Sequence, residues 1–101
     1  MTADELSAAA RSGSAPPDLP VALRALCLEA SGDWNAAHEV AQADDGRDAA
    51  WVHAYLHRKE GDLGNAAYWY RQAGRPSGRG SFEDEWRAIA GELLGGAVRA
   101  R

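Results

Sequence analysis

Cysteine occurs once, at Cys27, so a chain of 101 residues has no internal disulfide available to it. The thiol sits among Leu23, Leu26 and Leu28, the setting of a buried, inert side chain rather than a nucleophile. Valine and isoleucine are scarce, and no segment shows the period-2 alternation that a strand would want. Proline is nearly confined to residues 16 to 20 and position 76. No apolar run approaches the length needed to cross a bilayer. Basic residues are outnumbered: the formal charge is -4 and the pI is near 5.2. That balance argues against nucleic acid or an anionic membrane as a partner, because a phosphate-binding surface needs clustered Lys and Arg. The first residues, "MTADELSAAARSG", carry acids and lack the basic-then-apolar order of a signal peptide, so the expected location is cytoplasmic.

What the chain does have is alanine, which favours helix because it gives up no side-chain entropy there. Residues 2 to 12 read as a short, weak helix with Leu6 as its large apolar residue, and "SGSAPPDLP" reads as a connector. Residues 1–17 stay open between an ordered helix and a flexible lead-in. A firmer helix is expected from Asp18, with Asp18 as cap, Pro20 in the first turn and Gly32 at the exit. Asp33 caps the next, from Trp34 to about Ala43. A third strong helix runs from about Arg47 to Glu60; Gly61 ends it, Asp62 caps the following one, and that continues to Ala73. After the loop "GRPSGRG", a last helix is expected over about 81–95, with Glu83, Asp84 and Glu85 in its first turn. Its stripe of Phe82, Trp86, Ile89 and Leu93 is the best amphipathic signal in the chain. The expected class is all-α, in one domain.

Residues 19 to 43 lie over residues 48 to 72 at a constant shift of 29. Ala25 falls on Ala54, Leu26 on Tyr55, Gly32 on Gly61, Asp33 on Asp62, Trp34 on Leu63 and Ala37 on Ala66. Self-similarity at such a period marks stacked helical hairpins. In the second copy Ala54, then Gly61, Asp62 and Leu63, then Ala66, Tyr70 and Ala73 stand where the tetratricopeptide (TPR) repeat places its small, turn and packing residues. The arrangement, over roughly residues 18 to 74, therefore resembles a TPR protein, and the chain as a whole is similar to small bacterial proteins. It departs from the family in spacing, 29 against about 34. It departs also at Ala41, which replaces an aromatic, at Trp51, one place late, and at His53, a usual Leu site. The resemblance implies two antiparallel helical hairpins, about 18–44 and 47–74, closed by the C-terminal amphipathic helix as a cap. "GDLGNAAYWY", residues 61 to 70, is then a hairpin turn with its packing helix.

The resemblance also implies a ligand groove on the inner face of the first helix of the second hairpin. The matching positions are Asp48, Trp51, Tyr55, Arg58 and Lys59. Two aromatics one turn apart with two cations beyond them suit a peptide ending in acids. The competing reading puts Trp51 and Tyr55 in the core and leaves Arg58 and Lys59 to the helix dipole. Residues 68 to 70 fan through about 200° of the helix, so "YWY" cannot all point inward. With Tyr70 inside, Tyr68 or Trp69 faces another element or another molecule. Tyr68, Trp69 and Trp86 are the candidate interface, which leaves the chain a monomer or a homodimer.

The function expected on this basis is a non-enzymatic protein- or peptide-binding module without cofactor. No Ser-His-Asp set, no suggestive Cys-His pair and no phosphate loop is present in the sequence. The alternative is a metal-binding protein or small metal-dependent hydrolase. His53 and His57 are four apart and share a helix face, a spacing suited to two metal ligands, and His38 on the preceding helix is the third candidate.

Overall fold

The computed structural model describes residues 1–99. Their regular structure is six α-helices, with no strand among the described residues: α1 (Ala3–Arg11), α2 (Val21–Ala30), α3 (Trp34–Gln42), α4 (Arg47–Glu60), α5 (Leu63–Ala73) and α6 (Phe82–Arg99). No helix is long and apolar enough to cross a membrane.

The chain's own local chemistry sets most of these boundaries. Thr2 and Glu5 form a capping box on α1, each side chain accepting from the other's backbone N–H. Asp33 and Asp62 accept from the N–H of Ala36 and Asn65 and so start α3 and α5. The left-handed exit at Gly61 (φ 90°) lets the chain reverse within two residues. Ser81 caps α6 by accepting from Asp84 N at 3.0 Å. One start differs from expectation. Asp18 does not cap α2, which begins at Val21 with Pro20 in the cap position and no side-chain cap. A proline pushes the residue before it out of helical conformation, so the helix waits until Pro20 has passed.

α4 is the centre of the molecule. Every residue from Ala49 to His57 is buried. α5 packs along α4, α3 lies against both α2 and α4, and α6 crosses to touch α1, α2 and α4. Close approach is possible because Ala25, Ala37, Ala41, Ala54, Ala66 and Ala73 lie at the contacts with almost no exposed surface. Leu6, Leu26, Val52, Leu56 and Ile89 fill the spaces between.

Two buried carboxylates fasten the outer helices to α4. Glu85 of α6 accepts from Tyr70 Oη and from Arg58 Nη1, the latter at 2.8 Å, while Arg58 Nη2 donates to Gly80 O at 2.6 Å. Arg58 also stacks over the Phe82 ring. Glu29 of α2 accepts from Tyr55 Oη at 3.3 Å and from Lys59. Trp86 adds a third fastening, its indole N–H donating to Leu26 O at 3.1 Å. Arg58→Ala is expected to cost about 3–5 kcal/mol in chemical denaturation, because it strands a buried carboxylate. The triple variant Arg58→Met/Glu85→Leu/Tyr70→Phe, which also removes the hydroxyl that Glu85 accepts from, should recover most of that loss.

Candidate functional site

The carboxylate fastenings occupy the side of α4 that faces α2 and α6. The side facing α3 and α5 carries imidazoles instead. His53 and His57 project one turn apart from α4, and the α3–α4 contact brings His38 to them. His38 Nε2 and His53 Nε2 are 3.0 Å apart, a hydrogen bond in which one ring donates and the other accepts. The ring centroids lie 4.7 Å (38–53), 5.2 Å (38–57) and 4.9 Å (53–57) apart. One ligand nitrogen from each ring falls within 4.8 Å of the other two.

Two indoles wall the cluster. Trp34 stacks on His38 at 5.0 Å between centroids, and its own N–H is held by Leu56 O at 2.9 Å. Trp69 stacks on His53 at 4.0 Å. A carboxylate stands behind the third ring: Glu60 Oε2 is 2.7 Å from His57 Nδ1. That contact orients the imidazole and leaves Nε2 as its free ligand atom. His53 and His57 are buried, whereas His38, Trp34 and Trp69 are half-buried, so the cluster reaches from the interior to the surface.

Burial holds His53 well below the usual imidazole range, at about 4, and the charges of His38 and His57 push the same way. His38 is lowered too, first by burial and then by His57. Both rings are therefore neutral near pH 7, the form in which imidazole donates a lone pair to a metal. Cys27, by contrast, is pushed up to about 11 by burial and lies in a separate apolar recess with Pro16, Leu19 and Leu28.

The other sequence candidates lie elsewhere, and most are engaged. Tyr55 is 1% exposed and Trp51 8%, with Arg75 stacked over the Trp51 ring at 3.9 Å. Arg58 and Lys59 are paired to Glu85 and Glu29. Beside them α6 folds back across α4 and α2. Tyr55 and Lys59 do line a cleft of about 510 Å³ between α1, α2, α4 and α6, along with Phe82 and Trp86. The interface trio separates. Tyr68 is 45% exposed, Trp69 turns inward onto His53, and Trp86 is packed inside by its bond to Leu26. Sequence reasoning missed the two indole walls. The i, i+4 spacing of Trp34 and His38 on α3 was the available signal for one of them.

No family model matches this chain, and neither a curated protein nor a solved structure matches it. The chemistry of the site rests on its own geometry.

One consequence concerns pH in the metal-free protein. The unfolded chain protonates His53 near 6.5, while the folded chain resists until about 4. Stability from this group is complete above the first value and declines as the pH falls toward the second, by roughly 3 kcal/mol in all. Urea midpoints at about pH 7.5 and about pH 5 should therefore differ more for the wild type than for His53→Gln.

Proposed function

We propose that this protein binds a divalent transition-metal ion, Zn²⁺ in the first instance, through His38, His53 and His57. The observation that carries the reading is the convergence of three imidazoles from two helices, with their ligand nitrogens within 4.8 Å of one another. A zinc ion about 2.0–2.1 Å from two nitrogens at the tetrahedral angle holds them roughly 3.3 Å apart and their ring centres roughly 5 Å apart. The 3.0 Å between His38 and His53 and the centroid spacings of 4.7, 5.2 and 4.9 Å are close to those values. Little movement separates this arrangement from a ligating one.

The donor set selects the class of ion. Neutral imidazoles suit Zn²⁺, Cu²⁺, Ni²⁺ and Fe²⁺, whereas Ca²⁺ and Mg²⁺ take oxygen ligands. Glu60 behind His57 supplies the carboxylate–histidine contact that tunes and orients such ligands. The test is a competition titration of tag-free, metal-stripped protein with Zn²⁺ against a chromophoric chelator. One equivalent should bind, and His38→Gln/His57→Gln should abolish competition. Glu60→Gln should weaken affinity about 10–100-fold. Unchanged affinity in the double histidine variant would sink the reading.

A peptide-binding module is the second reading, favoured by the cleft of about 510 Å³ that Tyr55 and Lys59 line. In it, α2 with α3 and α4 with α5 are TPR-like hairpins and α6 is their cap. Ala8 lies on the wall of that cleft. Retention on an acidic peptide library by the wild type and not by Ala8→Trp would support this reading. Equal retention by the two proteins would count against it.

A further inference from the structure

We infer that the metal held by His38, His53 and His57 keeps a fourth, exchangeable coordination position, and that this position takes a small monovalent anion of the carboxylate class from solution. The inference rests on the metal reading above and adds to it the kind of ligand the centre receives. Closed, structural zinc sites have four protein ligands; sites that receive an outside ligand have three.

The first argument is the ligand count. Glu60 and Asp62 come within reach of His57, but they form a separate group that includes neither His38 nor His53. Glu60 is committed to His57 Nδ1 at 2.7 Å. Asp62 is committed to the start of α5, accepting from Asn65 N at 3.2 Å and from Asn65 Nδ2 at 2.8 Å. Cys27 lies in a recess lined by Ala10, Pro16, Leu19 and Leu28, away from the histidines. Among the described residues, no fourth side chain joins the three imidazoles in one cluster.

The second argument is charge. Three neutral imidazoles leave the full double charge of the ion in place. Burying that charge without a counter-charge is costly, so an anion in the fourth position gains more than water does. Glu60 offsets part of it from behind His57 without occupying the position. The third argument is shape. Trp34 and Trp69 stand flat against His38 and His53 and limit how far those rings can swing. His38 and both indoles are half-buried, which gives a small ligand a way in from the surface. The indoles stacked on two of the three ligand rings disfavour a bulky ligand and favour a compact anion.

The test uses Co²⁺, whose visible d–d absorption reports coordination number. Tag-free full-length protein is loaded with one equivalent of Co²⁺, then titrated with sodium acetate and, separately, with sodium azide at constant pH and ionic strength. The expected result is a saturable spectral change with isosbestic points for both anions, and none with perchlorate. A four-coordinate spectrum that neither anion perturbs would overturn the open position while leaving the metal reading intact. A thiolate-to-cobalt charge-transfer band would overturn it as well, by making Cys27 the fourth ligand. No bound Co²⁺ at all would remove both readings. His38→Gln supplies the opposite control: a Co²⁺ complex with one protein ligand fewer should bind the metal more weakly and respond to more than one equivalent of anion.

Discussion

From Ala49 to His57, α4 has no solvated face. A helix enclosed on every side must match each of its polar side chains inside the protein, because an unpartnered buried group costs more than a hydrogen bond returns. The rest of the molecule answers that constraint. Tyr55 is matched by Glu29, Arg58 by Glu85, His57 by Glu60 and His53 by His38. No buried side-chain nitrogen or oxygen among the described residues is left without a partner. Enclosure itself depends on small side chains. Ala37, Ala41, Ala66 and Ala73 on the flanking helices, with Ala54 on α4 itself, let neighbours come close enough to shut water out.

The two polar belts around α4 differ in kind. Toward α2 and α6, each buried carboxylate receives a phenol and a cation, and donors and acceptors are balanced. Such a belt holds helices together and has no spare chemistry. It also raises the pKa of Tyr55 and Tyr70, chiefly by burial, so both phenols remain protonated donors. Toward α3 and α5, the groups are imidazoles, and burial lowers the pKa of His38 and His53. One shared proton joins His38 to His53, and a ring nitrogen of His57 lies within 4.8 Å of both.

Local rules made the helices legible in the sequence. Gly-Asp at 32–33 and 61–62, Ser81 and the acids after it act within a turn or two, so reading them needed no knowledge of the fold. The start of α2 was misread because capping by Asp18 and exclusion by Pro20 compete, and the proline wins. The site was half legible. The spacing of His53 and His57 lies on one helix, and helix geometry alone aligns them. Whether His38 meets them depends on how α3 packs against α4, which is set by contacts far apart in sequence. The surroundings of Tyr55 and Trp86 were illegible for the same reason: nothing local says that α6 folds back against α2 and α4.

On the proposed metal reading, the position of the imidazole cluster ties binding to the docking of one helix. α3 buries only Ala37 and Ala41 completely, so small residues and ring stacking carry most of its attachment. The Trp34 bond to Leu56 and the His38 bond to His53 are its polar links to α4. An ion held by His38 together with His53 and His57 bridges α3 and α4 directly, and it can do so only while they are docked. Its binding free energy accrues to that docked state alone, about 2.7 kcal/mol at a free concentration one hundred times the Kd. α1 and α6 contribute no ligand and sit on the other side of α4 with the carboxylate belt. Occupancy would therefore strengthen the α3–α4 seam selectively, whereas the fastening of α6 through Glu85 and Trp86 involves none of the three histidines.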